Sequence, residues 1–240
     1  ISDKGFTLVI PPVLIKKEVE RGMGYVEHGN WREMYKTEED GLILVSSSEH
    51  SVIPMHTEEV FNQDDLPIKY VNFSPCFRRE AGSYGQDVRG MFRVHQFNKV
   101  EMNIYTVPDT KISDQVCQEM LEIQEEIMQA LKIPYQIVAS CTGDLPFPNR
   151  MMYDLEAWFP GEDEYRETHS CSSCTDYQTR RLNIKVDYQG EHKYVHALNA
   201  TGITPRAMLA ILENYQQKDG SVKVPKVLQK YLGKRVISKQ

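Results

Sequence analysis

The chain has 240 residues, 40% of them apolar, and carries 28 Lys and Arg against 34 Asp and Glu for a formal net charge of -6. That length suits one large domain or two small ones, and the ordinary apolar and aromatic content excludes disorder. No window approaches 18 uninterrupted apolar residues, which excludes a membrane-spanning helix, and an acidic domain does not hold nucleic acid through bulk electrostatics.

The chain opens on Ile1 and shows no charged-then-apolar leader, so it reads as a processed chain or a fragment without a secretory signal. No internal repeat, low-complexity stretch or linker rich in Pro, Gly and Ser divides it, so residues 1–240 read as one domain. Residues 7–15 form an apolar run containing Pro11 and Pro12, which suits an edge strand or an extended interface segment. Residues 41–46 read as a short buried strand. Residues 68–79 and 91–107 are long strand-like stretches. The polar segment between them, residues 80–90, holds Gly82, Gly85 and Gly90 and reads as the tip of a hairpin. Val116, Met120, Ile123, Ile127 and Leu131 recur at helical spacing and predict a helix over residues 109–131, capped by Ser113-Asp114. Residues 135–138, 153–159 and 182–186 read as strands. A second helix starts at Thr204-Pro205, with Thr204 as N-cap, and ends near residue 216. The five cysteines, Cys76, Cys117, Cys141, Cys171 and Cys174, are odd in number and irregular in spacing, and read as free thiols in a reducing compartment. Cys171 and Cys174 form a single CxxC after His169; without a second pair it does not read as structural zinc. The basic cluster Lys223, Lys226, Lys230, Lys234 and Arg235 reads as solvated surface.

Strands outnumber helices and hairpin connections dominate. The expected class is α+β, an antiparallel sheet flanked by helices. No GxGxxG or GxxxxGK[ST] is present, so Rossmann and P-loop readings fail.

The chemistry concentrates in residues 76–101. Alternation along the second long strand puts Arg93, His95, Phe97, Lys99 and Glu101 on one face. Cations, a ring and a carboxylate make an unusual core surface, because each unpaired buried charge would be costly. Lys99 and Glu101 on their own would also fit a solvent face laced with ion pairs. Taken together, the face suits a charged ligand with a flat ring: Arg93 for phosphate, Phe97 for a base, Glu101 for an ammonium or hydroxyl. Arg206, in the first turn of the second helix, opposes the helix dipole by about 0.3–1 kcal/mol unless an anion binds there. Two arginine-bearing anion sites suit a polyphosphate. Asp154 and Glu156 share a strand face, and Glu167 lies close to Ser170; such oxygen donors suit Mg²⁺ bridging phosphates.

Phe77-Arg78-Arg79-Glu80 followed by Arg93 resembles motif 2 of the class II aminoacyl-tRNA synthetases. Asn199-Ala200-Thr201-Gly202 followed by Arg206 and the helix after it resembles motif 3. Residues 76–101, 153–161, 170–184 and 210–225 are together similar to the seryl-tRNA synthetase family, over nearly the whole chain. The resemblance implies ATP and Mg²⁺, L-serine and tRNA(Ser), a homodimer built on the motif 1 segment around residues 5–14, and a cytoplasmic enzyme. It implies that Arg78 holds the α-phosphate and the substrate carboxylate, that Glu80 lies beside adenine and Phe97 stacks on it, and that Arg93 grips the γ-phosphate and Arg206 the phosphates. It gives Glu167 and Ser170 to the metal and to ATP. It gives Ser47, Glu49, Arg78, Glu101, Asn199 and Thr201 to serine. Ser47 stands where the family usually has Thr, His169 and Ser173 also depart from its pattern, and the family's N-terminal helical hairpin has no counterpart in these residues. Two other readings stay open: a relative that loads a carrier protein or small molecule, and a non-catalytic interaction subunit.

Overall fold

The computed structural model describes residues 1–26, 30–81 and 90–238. In chain order its elements are β1 (Thr7–Val9), β2 (Leu14–Ile15), α1 (Lys17–Met23), β3 (Ile43–Leu44), α2 (Glu49–Val52), β4 (Val60–Asn62), β5 (Ile68–Phe77) and β6 (Gln96–Thr106). They continue as α3 (Thr110–Leu131), β7 (Tyr135–Ala139), β8 (Met151–Phe159), β9 (Glu164–Thr175), α4 (Tyr177–Arg181), β10 (Lys185–Tyr188), β11 (Glu191–Tyr194), β12 (His196–Ile203) and α5 (Pro205–Tyr215). A seven-stranded sheet runs β1-β5-β6-β12-β9-β8-β7. Every neighbouring pair in it is antiparallel except β1 with β5, which is parallel. The architecture is the expected α+β.

The sheet's two faces carry different chemistry. On one, Met102 and Ile104 of β6, Cys171 of β9, and Leu198 and Ala200 of β12 pack under Val116, Met120, Leu121 and Ile123 of α3. Leu155, Ala157 and Phe159 of β8 extend this layer beneath the end of α3 and Ala210 of α5. The alternate residues face the other way. At one end of that second face Tyr105 and Ala197 enter a separate core with Phe61, Ile184, Val186 and Val195, built on the small β11-β10-β4 sheet. The rest of the face is polar and forms the floor of a cleft.

Several boundaries differ from expectation for local reasons. Asp109, not Ser113-Asp114, caps α3: its backbone is extended and its carboxylate accepts from Lys111 N at 2.8 Å and Ile112 N at 3.4 Å. Ser113 lies a turn further in and pairs with His196 Nδ1 at 2.6 Å. The strand expected at residues 182–186 begins at Lys185, because Leu182 follows the short helix α4 and packs into the second core. The second long strand starts at Gln96 rather than at residue 91. β9 and β12, both central, were not predicted. The hairpin tip expected at residues 80–90 falls mostly on residues 82–89, outside the described residues. Cys171 and Cys174 do not converge: Cys171 Sγ lies 3.5 Å from Cys117 Sγ, while Cys174 Sγ donates to Asn149 Oδ1 at 3.3 Å. The basic residues near the C-terminus are exposed, as expected.

Leu198 is fully buried between β6, β9 and α3. Leu198→Ala is expected to lower unfolding stability by ~2–5 kcal/mol in urea titration, through lost contacts and the cavity left behind. Tyr231→Ala, at a residue 76% exposed, should stay within about 0.5 kcal/mol.

Candidate active site

The cleft has two chambers. The two are nearly equal in open volume, about 580 Å³ and about 570 Å³; the marginally larger is lined by Arg78, Glu80, Arg93, Phe97, Glu167, Thr201 and Arg206, among others. The smaller is lined by Tyr25, Ser47, Glu49, His50, Glu101, Asn199 and neighbours. Arg78, Lys99 and Ser170 border both. The residues that the family resemblance gives to ATP, serine or the metal line one chamber or the other, whereas His95, Asp154 and Glu156 are in neither lining.

The larger chamber is cationic with an aromatic wall. Arg78 follows directly on β5, and its backbone N–H continues the ladder to His95 O at 2.9 Å. Its guanidinium stands 5.2 Å from the Phe97 ring centroid, and Nε is 3.5 Å from Ser46 O. Phe97 is half-buried and lines the cleft; it is not in the apolar core. Arg93 precedes β6 and so is not placed by strand alternation, yet it borders the chamber and pairs with Glu80. His95 is turned to a different task, meeting Tyr35 OH at 2.6 Å through Nδ1. Arg206 opens α5 and lies across Phe92, 4.5 Å from the ring centroid, with Nη1 2.9 Å from Glu167 Oε2 and 3.1 Å from Glu167 O. These contacts offset the unfavourable end of the helix dipole while no ligand anion is bound. Thr204 holds the expected N-cap position, but its hydroxyl donates to Thr168 O at 3.1 Å instead of capping its own helix.

The smaller chamber is built from buried charge. Glu101 is 1% exposed and Lys99 6%. Lys99 Nζ lies 2.8 Å from Glu101 Oε2 and donates to Ser47 Oγ at 2.8 Å. The solvent-face reading of this pair is thus wrong: the two groups are paired inside the protein. Burial pushes the Glu101 carboxyl up from its ordinary range, and Lys99 pulls against that rise. Glu49 accepts from Tyr25 OH at 2.7 Å and from Gln178 Nε2 at 3.4 Å. Behind it His50 stacks on Tyr25, with centroids 4.7 Å apart, and meets Glu20 Oε2 at 2.7 Å through Nδ1. Burial disfavours the imidazolium, but Glu20 and Glu49 outweigh it and the net shift of His50 is upward. Tyr25, His50 and Glu20 were not legible as site residues; they come from segments whose local pattern is that of an ordinary helix and loop. Lys99 was legible through its strand face.

Glu167 and Ser170 reach the same chamber although three positions apart on β9. The pairing of β8 with β9 shifts register between Leu155 and Glu156, which leaves Thr168 as an extra residue on β9. Such a bulge returns the next side chains to the face they would otherwise leave. Asp154, opposite Ser170, has its carboxyl raised to about 6 by burial and by Glu167, and its Oδ1 is buried without a partner. Glu156 shares that face but bonds Gln136 Nε2 at 2.7 Å. The donors at the chamber wall are oxygens, the Glu167 carboxylate held by Arg206, the Ser170 hydroxyl and the unpartnered Asp154 Oδ1 nearby, a donor type that fits Mg²⁺. Among the described residues no three His, Cys, Asp or Glu side chains converge into a metal cage.

Residues 32–215 match the class II tRNA synthetase core domain of the G, H, P, S and T type. The serine–tRNA ligase of Pyrococcus horikoshii is 47% identical over 236 residues, which cover 97% of this chain and 51% of that protein. That of Methanospirillum hungatei is 47% identical, over 97% of this chain and 55% of its own length. The crystal structure of the Pyrococcus horikoshii seryl-tRNA synthetase complexed with ATP superposes with a TM-score of 0.94 at 44% identity, covering all of this chain and 54% of that one. The Naegleria fowleri cytoplasmic enzyme in complex with AMP gives a TM-score of 0.93 at 40% identity, over all of this chain and 51% of that one. A Giardia lamblia prolyl-tRNA synthetase, 16% identical, shares the fold at a TM-score of 0.83 over 95% of this chain and 45% of that one. The chain belongs to the seryl-tRNA synthetase family. It spans about half the length of the curated relatives it matches.

The His50–Glu20 pair has a signed consequence. His50 holds its proton more tightly folded than unfolded, so its contribution is full below about pH 6.5 and lost as pH rises through the raised folded-state value. Glu20→Gln is expected to lower Tm at pH 6 and to reduce this alkaline loss, as measured by thermal melts from pH 6 to 9.

Proposed function

We propose that this domain activates L-serine with ATP and transfers the seryl group to tRNA(Ser). The observation that carries the reading is the junction of the chambers: a cationic, ring-walled space opens past Arg78, Lys99 and Ser170 onto a second space holding Glu49 and Glu101. The names of the relatives and the ATP and AMP complexes of the structural neighbours support it.

In this reading the adenine lies against Phe97 with Glu80 beside it, Arg93 takes the γ-phosphate and Arg206 the bent polyphosphate. Both arginines exchange carboxylate partners for phosphate as ATP enters, so little cation desolvation is left to be done on binding. Serine sits with its ammonium and hydroxyl toward Glu49, Glu101, Ser47, Asn199 and Thr201, and its carboxylate toward Arg78. The carboxylate oxygen attacks the α-phosphorus, the bond to pyrophosphate breaks, and seryl-adenylate forms. Arg78 and Arg206 stabilise charge on the phosphoryl oxygens, chiefly by position. Glu167 and Ser170 would hold Mg²⁺, which neutralises phosphate charge when bound. The terminal ribose hydroxyl of tRNA then attacks the seryl carbonyl and AMP leaves. Alanine is rejected because it leaves buried polar groups of the small chamber without a partner.

Residues 1–240 act as one catalytic domain in a cytoplasmic enzyme. It forms a homodimer through the edge beside β1, where Leu8 (66% exposed), Ile10 (83%) and Phe73 (51%) present apolar surface. Ile10→Asp is expected to give monomers by light scattering; an unchanged dimer would exclude this edge. Serine-dependent ATP–pyrophosphate exchange is expected in the wild type, and Arg78→Ala should reduce it by at least ~10²-fold with the fold intact by circular dichroism. A folded protein that shows no exchange with serine would overturn the reading.

A further inference from the structure

Among the described residues Lys99 is the one lysine or arginine that is buried. It stands in the wall between the chambers. A chamber that receives an amino acid's ammonium gains nothing from a lysine directed at the same spot, since like charges repel. The ammonium of Lys99 is instead held by two protein oxygens, Glu101 Oε2 and Ser47 Oγ. Lys99 and Glu101 are i and i+2 on β6 and so share a face, and their charges meet at 2.8 Å. Apart from that ammonium, Glu101 Oε2 has no hydrogen-bond partner. The same Nζ donates to Ser47 Oγ at 2.8 Å, and Glu49 N approaches that oxygen at 3.4 Å. With its lone pairs taken from behind, the Ser47 hydroxyl directs its hydrogen into the chamber.

We propose that Lys99 is a positioning residue that sets the polarity of the small chamber, holding Glu101 as a pure acceptor and turning Ser47 outward as a donor. It thereby selects a small amino acid whose ammonium and hydroxyl can donate and whose carboxylate can accept. This deepens the proposed reading of the site and rests on it. The groups facing Glu101 are Lys99 on its own strand, Arg78 and Cys76 from the end of β5 and Glu49 of α2, while Cys171 of β9 acts on it from the sheet's other face. Of these, Lys99 is the cation in contact. Without it, burial and Glu49 push the carboxyl toward its protonated form, in which it donates where serine needs an acceptor.

The test is the pH dependence of half-saturation in pyrophosphate exchange for wild type, Lys99→Met and Lys99→Met/Glu101→Gln. For Lys99→Met the KM for serine is expected to rise about 30-fold at pH 7 and to fall back toward the wild-type value by pH 9, with the KM for ATP within about 3-fold. The double variant removes the pair without stranding a buried charge, which keeps the experiment informative if Lys99→Met does not fold. Its serine KM should be raised and independent of pH. Equal rises in both KM values for Lys99→Met, or a serine KM raised equally at pH 7 and pH 9, would overturn the role of Lys99; an unchanged serine KM in the double variant would overturn the roles of Lys99 and Glu101 together. Wild type that exchanges with no amino acid would overturn the underlying reading instead.

Discussion

The whole site depends on the alternation of side chains along paired strands. In β6, Met102 and Ile104 go to α3 while Lys99 and Glu101 go to the cleft; in β12, Leu198 and Ala200 go one way and Asn199 and Thr201 the other. A slip of one residue in either strand would bury carboxylate and ammonium against α3 and expose the core. The sheet is thus held in register by the hydrophobic effect on one face, and that register places the polar groups on the other. Rigidity is a by-product: cleft residues that sit on a packed central sheet have little freedom to reorganise.

Where alternation alone would misplace a residue, an irregularity corrects it. The shift opposite Leu155 and Glu156 brings Glu167 and Ser170 to one wall. A second irregularity lies between Thr201 and Ile203, where β12 pairs with β6. Gly202 sits there because a Cβ would come within 2.9 Å of Val100 Cγ1 and 3.2 Å of Val100 O. The strand then leads straight into Thr204 and α5, so Thr201 on the floor and Arg206 at the rim are fixed by one short stretch of chain.

The division into a charged face and an apolar helix was readable from residues 93–101 and 116–131, because both follow a clear period. β9 and β12 were not, although both are central. In β9 the stretch from Thr168 to Cys174 is Ser, Thr, Cys and His, buried on both faces, and shows neither alternation nor β-branched runs. In β12 the run of Ala, Leu, Asn and Thr is nearly all buried and its period vanishes for the same reason. Residues packed tightly between neighbouring strands and a helix need to be small, and small residues carry weak propensity. The chemistry was more legible than the elements bearing it, since Arg206, Glu167 and Ser170 stand out by type. Glu20, His50 and Tyr25 did not, because their relation to Glu49 exists only once α1, α2 and the adjoining loop are packed together.

Net charge and local charge point in opposite directions here, and the difference is informative. A chain with an excess of acidic residues repels a polyanion at long range, and screening confines any attraction to about 8–10 Å. The cations that face the larger chamber are therefore effective only within it, and each is already held by a carboxylate, carbonyl or ring: Arg93 by Glu80, Arg206 by Glu167, Arg78 by Ser46 O and Phe97. Such arginines bind an anion by exchange, not by simple attraction. That favours a ligand able to replace all those partners together over a lone phosphate, which would break the pairs and restore only part of what they had. In the proposed reading, selectivity for a folded polyphosphate carrying a ring follows from how these arginines are paired.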